Sequence, residues 1–312
     1  MNLSIQNSGN LLNESAPLVS VIVPAYNHEA YIAECVRSIL EQDYPHIDLI
    51  IINDGSTDST DQKVCALAEE YFSRFRYISK KNEGLIKTLN LGLRLAHGEY
   101  LCELASDDIL LRGSIRKRIE YLVSRPAVDV VFADAFILNE QGRTTERLMV
   151  NRKSFRSSEH TVQDLIEGRA KIFFPSGMFR KSFLERLGGF DEDFRDYEDV
   201  AMKFQLAIHA NIDYLDEPVL YYRRHGSNTS STNKFSLRKE KVLALEKLLS
   251  SYQGDERLIK SSLGKEYLKL VKISLTHPAT RDATKRTLTK AFKIRPLNVK
   301  LWYYFARYLL RI

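Results

Sequence analysis

Two unbroken runs of aliphatic and β-branched residues lie near the start of the chain, Leu18 to Ala25 (LVSVIVPA) and Asp48 to Asn53 (DLIIIN). A strand wetted on one side alternates apolar with polar residues. A continuous apolar run belongs to a strand covered on both faces, as in a parallel sheet. Between the runs, AYIAECVRSILEQ spaces Ile32, Cys35, Val36, Ile39 and Leu40 as one face of a helix. After the second run, DGSTDST predicts a turn with helix N-caps, followed by a helix through Val64, Leu67, Ala68 and Tyr71. The pattern continues as strand 75–79, helix 86–96, strand 100–104, helix 113–124 and strand 128–133. This alternation predicts an α/β fold: an open, mostly parallel sheet flanked by helices, with right-handed crossovers. Residues 134–175 are less regular, and Asp199 to Ala210 reads as an amphipathic helix. From Phe235 onward the pattern predicts three or four basic amphipathic helices, broken near Gly254 and His277-Pro278.

Charge divides the chain in the same place. Residues 236–312 hold 18 lysines and arginines against 6 acids, whereas residues 1–235 hold 28 against 34. A basic tail on an acidic body favours an anionic partner. Residues 1–16 are polar and lack the apolar core of a signal peptide. No apolar run nears the roughly 20 residues of a membrane span. Cys35, Cys65 and Cys102 form no CxxC pair, which argues against a zinc site or a disulfide framework. These features predict a cytoplasmic protein, with the basic tail as a candidate peripheral contact to a membrane.

In open α/β sheets ligands bind beyond the carboxyl ends of the strands. There the sequence places Pro24-Ala25-Tyr26 after the first strand, Asp54-Gly55-Ser56 after the second and Asp107-Asp108 after the fourth. Tyr26 can pack on a flat base, Asp54 can accept from a base N–H or a ribose hydroxyl, and the acidic pair suits Mg²⁺ or Mn²⁺ beside a diphosphate. Each has a structural alternative: Asp54 as a turn residue, the acidic pair as helix-start acids, Tyr26 as core. The agreement of three separate turns favours the site. The chain contains no GxGxxG after its first strand, no GxxxxGK[ST] and no GxSxG, which disfavours dinucleotide oxidoreductases, P-loop NTPases and elbow-serine hydrolases.

Four blocks then carry a family resemblance: VSVIVPAYNHEAYIAECVRSILEQDYPHIDLIIINDGSTDST, KNEGLIKTLNLGLRLAHGEYLCELASDDILL, GGFDEDFRDYEDVAMKFQLA and VLYYRRHGSNTS. In order and spacing they resemble the family-2 glycosyltransferases over about residues 18–230. The resemblance implies a GT-A fold, an inverting mechanism, Mn²⁺ or Mg²⁺, and a nucleotide-sugar donor, often UDP-linked. It implies that Pro24, Ala25 and Tyr26 line the base pocket, Asp54 contacts uracil, Asp107 the ribose and Asp108 the metal. Asp199 would be the catalytic base, and His225 would lie near the diphosphate or metal. Two positions depart from the family pattern. Ala105 replaces the first acid of Asp-x-Asp-Asp, and Leu89 stands where many members carry a phosphate-binding Arg. Lys87 is the candidate substitute, with a plain exposed helix lysine as the alternative.

The implied organisation is a flexible segment 1–16 and a GT-A domain 17–235, followed by the basic helical region 236–312. Within the domain, a nucleotide-binding half (17–133) precedes an acceptor half (134–235). The expected reaction is sugar transfer to a glycan or lipid-diphosphate-linked acceptor in surface-polysaccharide assembly. Alternatives are an inactive nucleotide-sugar-binding homologue and a sugar nucleotidyltransferase, although the latter would carry a Gly-rich loop where this chain has PAYNHEA. The tail ends LNVKLWYYFARYLLRI. It suits an anionic membrane interface or packing on the catalytic domain. It has no nucleic-acid-reading motif.

Overall fold

The computed structural model describes residues 16–72, 74–139, 142–148, 158–170, 172–195, 197–226, 234–275 and 281–310. Residues 1–15, most of the segment expected to be flexible, lie outside them. The first half follows the predicted alternation: β1 (Val19–Ala25), α1 (Ile32–Leu40), β2 (Ile47–Asp54), α2 (Thr60–Glu70), β3 (Arg76–Lys80), α3 (Leu85–Leu95) and β4 (Tyr100–Glu103). Next come β5 (Ile109–Leu110), α4 (Ser114–Val123), β6 (Val130–Asn139), β7 (Gly142–Arg147), α5 (Ser158–Glu167), β8 (Met178–Arg180) and α6 (Lys181–Arg186). The body closes with α7 (Glu198–His209) and β9 (Ile212–Arg223). Four helices follow: α8 (Lys234–Ser251), α9 (Glu256–Ser274), α10 (Arg281–Ile294) and α11 (Val299–Leu310).

The strands form one sheet in the order β3-β2-β1-β4-β8-β6-β9-β5, with β7 paired to β6. Pairs among β3, β2, β1 and β4 are parallel, as expected. Beyond β4 the sheet is mixed: β8 runs antiparallel to β4 and β6, while β9 is parallel to β6. The apolar run of β1 is explained by its two covers. Val19, Val21 and Val23 pack with α1, α2 and α4 residues such as Ile39, Val64 and Ile115. Ile22 points the other way, into a core with Leu89 and Leu93 of α3 and Phe183 and Leu184 of α6. Helix α3 lies so close over β1 that a Cβ on Gly92 would come within 2.6 Å of the Ile22 side chain.

Because β3 lies to one side of β1 and β4 to the other, the chain reverses winding direction between β1 and β4. The carboxyl ends of these strands therefore open a crevice at a topological switch point. The C-terminal helices pack against α5 and α7 through a separate core that joins Val162 and Ala207 to Leu245, Leu263, Val271 and Leu301. Helix α11 is two-faced: Leu301 is buried, but Trp302 and Tyr303 are 55% and 59% exposed.

Candidate active site

The loops after β1 and β2 are stitched together at the crevice. Asn27 adopts a left-handed conformation (φ 53°), which Asn tolerates better than most residues. Its N–H donates to Ser56 Oγ (3.0 Å), and its side-chain oxygen accepts from the Thr57 N–H (2.8 Å). This turn leaves Tyr26 46% exposed on the lip. His28 lies deeper, with Nδ1 2.7 Å from Ser106 Oγ in the loop after β4.

A cavity of about 630 Å³ occupies the crevice. Pro24, Ala25, Tyr26, Asp54, Asp107 and Asp199 all line it, bringing six of the sequence-predicted residues to one place. Asp54 is buried and strongly held: its carboxylate pairs with Lys80 and accepts the N–H groups of Glu83 and Gly84, each at 2.9 Å. It thus anchors the β3–α3 loop as well as lining the cavity. Gly84 enters α3 at φ 95°, and a Cβ there would approach the Arg195 side chain to 2.9 Å.

Two of the residues expected at the site are not among those lining the cavity. Lys87 does not line the cavity; it stands half-exposed on α3, with Nζ 3.9 Å from Glu83. The cations that do line it are Arg195 and Lys203, supplied by distant segments. Asp108, expected to bind metal, is fully buried, and its Oδ2 has no hydrogen-bond partner. Its Oδ1 accepts the Arg223 N–H at 2.8 Å, and burial and then the Asp107 charge push its carboxyl well above the usual aspartate range.

Asp107, expected at the ribose, lies against two histidines. Its Oδ2 lies 2.9 Å from His225 Nε2 and 3.9 Å from His28 Nε2. These three side chains can present ligand atoms within 4.8 Å of one another. Burial alone would raise the Asp107 pKa, but the His225 hydrogen bond and the nearby His28 outweigh it and hold the carboxyl below its ordinary range. Burial likewise lowers His28, favouring the neutral imidazole that a metal ligand requires. The His225 ring packs on Tyr31 (centroids 4.8 Å apart), and the Arg223 guanidinium covers the same tyrosine. His28 went unrecognised in the sequence, where its one signal is its place directly after the base-pocket segment.

Across the cavity, at the start of α7, Asp199 pairs with Lys203 one helical turn on. Its neighbour Glu198 also lines the cavity, and burial, then the Asp199 charge, raise the Glu198 carboxyl to about 8. A protonated Glu198 removes one negative charge from beside Asp199. Asp199 and Lys203 also line a second cavity, of about 800 Å³, between α5, α7, α8 and α9. Asp199 therefore stands where the two cavities meet.

The sequence model of glycosyl transferase family 2 matches residues 20–188. The chain belongs to that family. Over 220 residues it is 29% identical to a Bacillus subtilis (strain 168) protein named as a glycosyltransferase, EpsH, with 68% of this chain and 62% of that one aligned. It is also 29% identical over 220 residues to the glycosyltransferase GlyG of Streptococcus pneumoniae serotype 4, covering 67% of this chain and 72% of that one. The chain spans less than two thirds of EpsH and about two fifths of a longer Rickettsia felis relative. In structure it is similar to S. aureus TarS 1–349 in complex with UDP-GlcNAc, with a TM-score of 0.63, 19% identity and coverage of 94% and 89% of the two chains. The mannosyltransferase PcManGT of Pyrobaculum calidifontis, in complex with GDP-Man and Mn²⁺, gives a TM-score of 0.59 at 19% identity, covering 96% and 88%. These likenesses show a GT-A fold that extends into the C-terminal helices.

Proposed function

We propose that this family-2 glycosyltransferase moves a sugar from a UDP-linked donor to an acceptor hydroxyl with inversion at the anomeric carbon. The observation that carries the reading is the position of Asp199 between two cavities. One holds the aromatic, carboxylate and imidazole groups suited to a nucleotide diphosphate, and the other is open to an acceptor. The donor base would stack on Tyr26 and meet Asp54, while Pro24 and Ala25 form the pocket wall. Asp199 would accept the proton of the attacking hydroxyl, a role worth about 10²–10⁴-fold. A single displacement in line with the departing diphosphate inverts the anomeric centre. The UDP-GlcNAc bound by TarS and the GDP-Man bound by PcManGT support a nucleotide-sugar donor.

Asp107, His28 and His225 would hold a divalent cation. Two imidazoles with one carboxylate suit Mn²⁺ better than Mg²⁺, which prefers oxygen ligands. When bound, such an ion offsets negative charge on the leaving diphosphate. Arg195 and Lys203 add fixed positive charge to the same cavity.

A thermal-shift panel of nucleotides and nucleotide sugars, each with and without Mn²⁺, tests the donor reading. Ligand at 100 times its Kd stabilises the native state by about 2.7 kcal/mol. For a chain of this size that is a rise of roughly 5 °C in Tm. UDP-type ligands should produce it, with a larger shift when Mn²⁺ is present. A flat response to every nucleotide at near-millimolar concentration would overturn the reading in favour of an inactive homologue.

The exposed face of α11 supports a second partner, an anionic membrane surface. Leu297, Val299, Trp302, Tyr303, Leu309 and Leu310 are exposed, in a region rich in Lys and Arg. No helix among the described residues is long and apolar enough to cross a membrane. Amphipathic contact of this kind depends on anionic lipid. The chain should float with vesicles containing phosphatidylglycerol and not with pure phosphatidylcholine, and the Trp302→Ala/Tyr303→Ala pair should sink. Sedimentation of the unaltered protein away from anionic vesicles would leave docking on the body as the sole role of this helix.

A further inference from the structure

The second cavity contains a charge that the proposed transfer does not use. Arg147, Asp199, Lys203, Lys241 and Glu266 are its charged lining residues. Arg147 is bound to Asp134 and Asp216, Lys203 to Asp199, and Glu266 to Arg238 and Lys269. Lys241 on α8 remains: among the described residues, no carboxylate lies within 4 Å of its ammonium. It is half-buried, and burial and then the neighbouring Arg238 guanidinium pull it below the ordinary lysine range, although Glu266 and Asp199 partly offset them. An ammonium withdrawn from water without a carboxylate is costly, and an incoming oxyanion would relieve that cost. Apart from Ser262 and Tyr197 the rest of the wall is apolar, including Leu165, Ile166, Val200, Phe204, Leu237 and Leu245.

We propose that this cavity is the acceptor site and that Lys241 binds an oxyanion, a phosphate ester, on an acceptor whose apolar portion lies along α5, α7 and α8. The site is built jointly by the family-2 body and the C-terminal helices: Asp199, Val200 and Phe204 come from α7, Leu237, Lys241 and Leu245 from α8. The cavity would thus select acceptors carrying negative charge close to the hydroxyl that Asp199 deprotonates. The inference rests on the transferase reading for the word acceptor, but the anion site itself does not depend on donor binding.

Four probes separate its parts: octyl phosphate (anion and chain), glycerol 3-phosphate (anion alone), octyl glucoside (chain alone) and glycerol (neither). Their affinities for the full chain would be measured by calorimetry, with and without UDP and Mn²⁺. Octyl phosphate should bind tightest. Lys241→Met keeps the aliphatic stem and should weaken both phosphates by about tenfold or more, the worth of a charge-assisted contact. It should leave octyl glucoside and UDP affinity unchanged and should not lower Tm, since it removes a costly half-buried charge, and Lys241→Arg should restore phosphate binding. Equal phosphate affinity in the wild type and Lys241→Met would overturn the proposal. So would a loss of UDP affinity in Lys241→Met, which would move Lys241 to the donor site. Failure of UDP to bind the wild type would count against the donor reading alone, because the phosphate arms are read without it.

Discussion

Asp199→Asn is expected to lower the turnover number by about 10²–10⁴-fold while leaving UDP affinity within a few-fold of the wild type. The amide keeps the size of the side chain and can still meet Lys203, the partner of Asp199 in the native chain. What it loses is basicity: a carboxamide cannot take the acceptor proton as the nucleophile closes on the anomeric carbon. Asp199 is also one of a close set of acids with Glu198 and Glu103. Replacing it removes negative charge from that set, so the fold should be retained or slightly stabilised. Single-turnover transfer beside equilibrium UDP binding reads the two properties separately. Unchanged turnover would remove Asp199 from the mechanism. A matched loss of UDP affinity would make it a donor contact instead of a base. Glu198→Gln supplies the contrast: because its carboxyl is raised to about 8, it carries its proton at neutral pH, and an amide there imitates the native state. It should keep most of the activity that Asp199→Asn loses.

The parts of this site legible in the sequence are those fixed by local constraints. Strands β1 and β2 carry continuous apolar runs because each is covered on both faces, and their ends place Tyr26 and Asp54 at the crevice. Strand β9 was not legible. Its sequence IDYLDEPVLYYR contains Pro218 and three charged residues before it, and its register with β6 shifts around Asp134. A proline at such an irregularity breaks the alternation that identifies a strand. With β9 hidden, the position of His225 just past its end relied on resemblance alone. The second cavity was hidden for a different reason: its walls come from α5, α7, α8 and α9, and no local pattern records which helical faces meet. His28 and Asp107 form a pair only because the β1 and β4 loops converge, 78 residues apart for the His28–Ser106 contact.

The assignment of Asp107 over Asp108 gives the other large expected effect. Adjacent residues leaving a strand point in different directions, so sequence alone cannot say which acid faces the ligand. In the structure Asp107 faces His225 and His28, and Asp108 is enclosed beneath Arg223. Asp107→Asn is therefore expected to weaken Mn²⁺ binding by about 100-fold or more, above the 10–100-fold typical of residues that only support a ligand. Turnover should fall with it. Asp108→Asn preserves an acceptor for the Arg223 N–H and should alter Mn²⁺ affinity by only a few-fold. The free Mn²⁺ signal in electron paramagnetic resonance, titrated with protein in the presence of UDP, measures both variants in one experiment. His28→Ala and His225→Ala should fall between them, each removing one of three potential ligands. If Asp108→Asn loses the ion and Asp107→Asn keeps it, the cation lies deeper than this cluster. The sequence expectation would then hold, and His225 would act on the diphosphate through Asp107 instead of joining it at the metal.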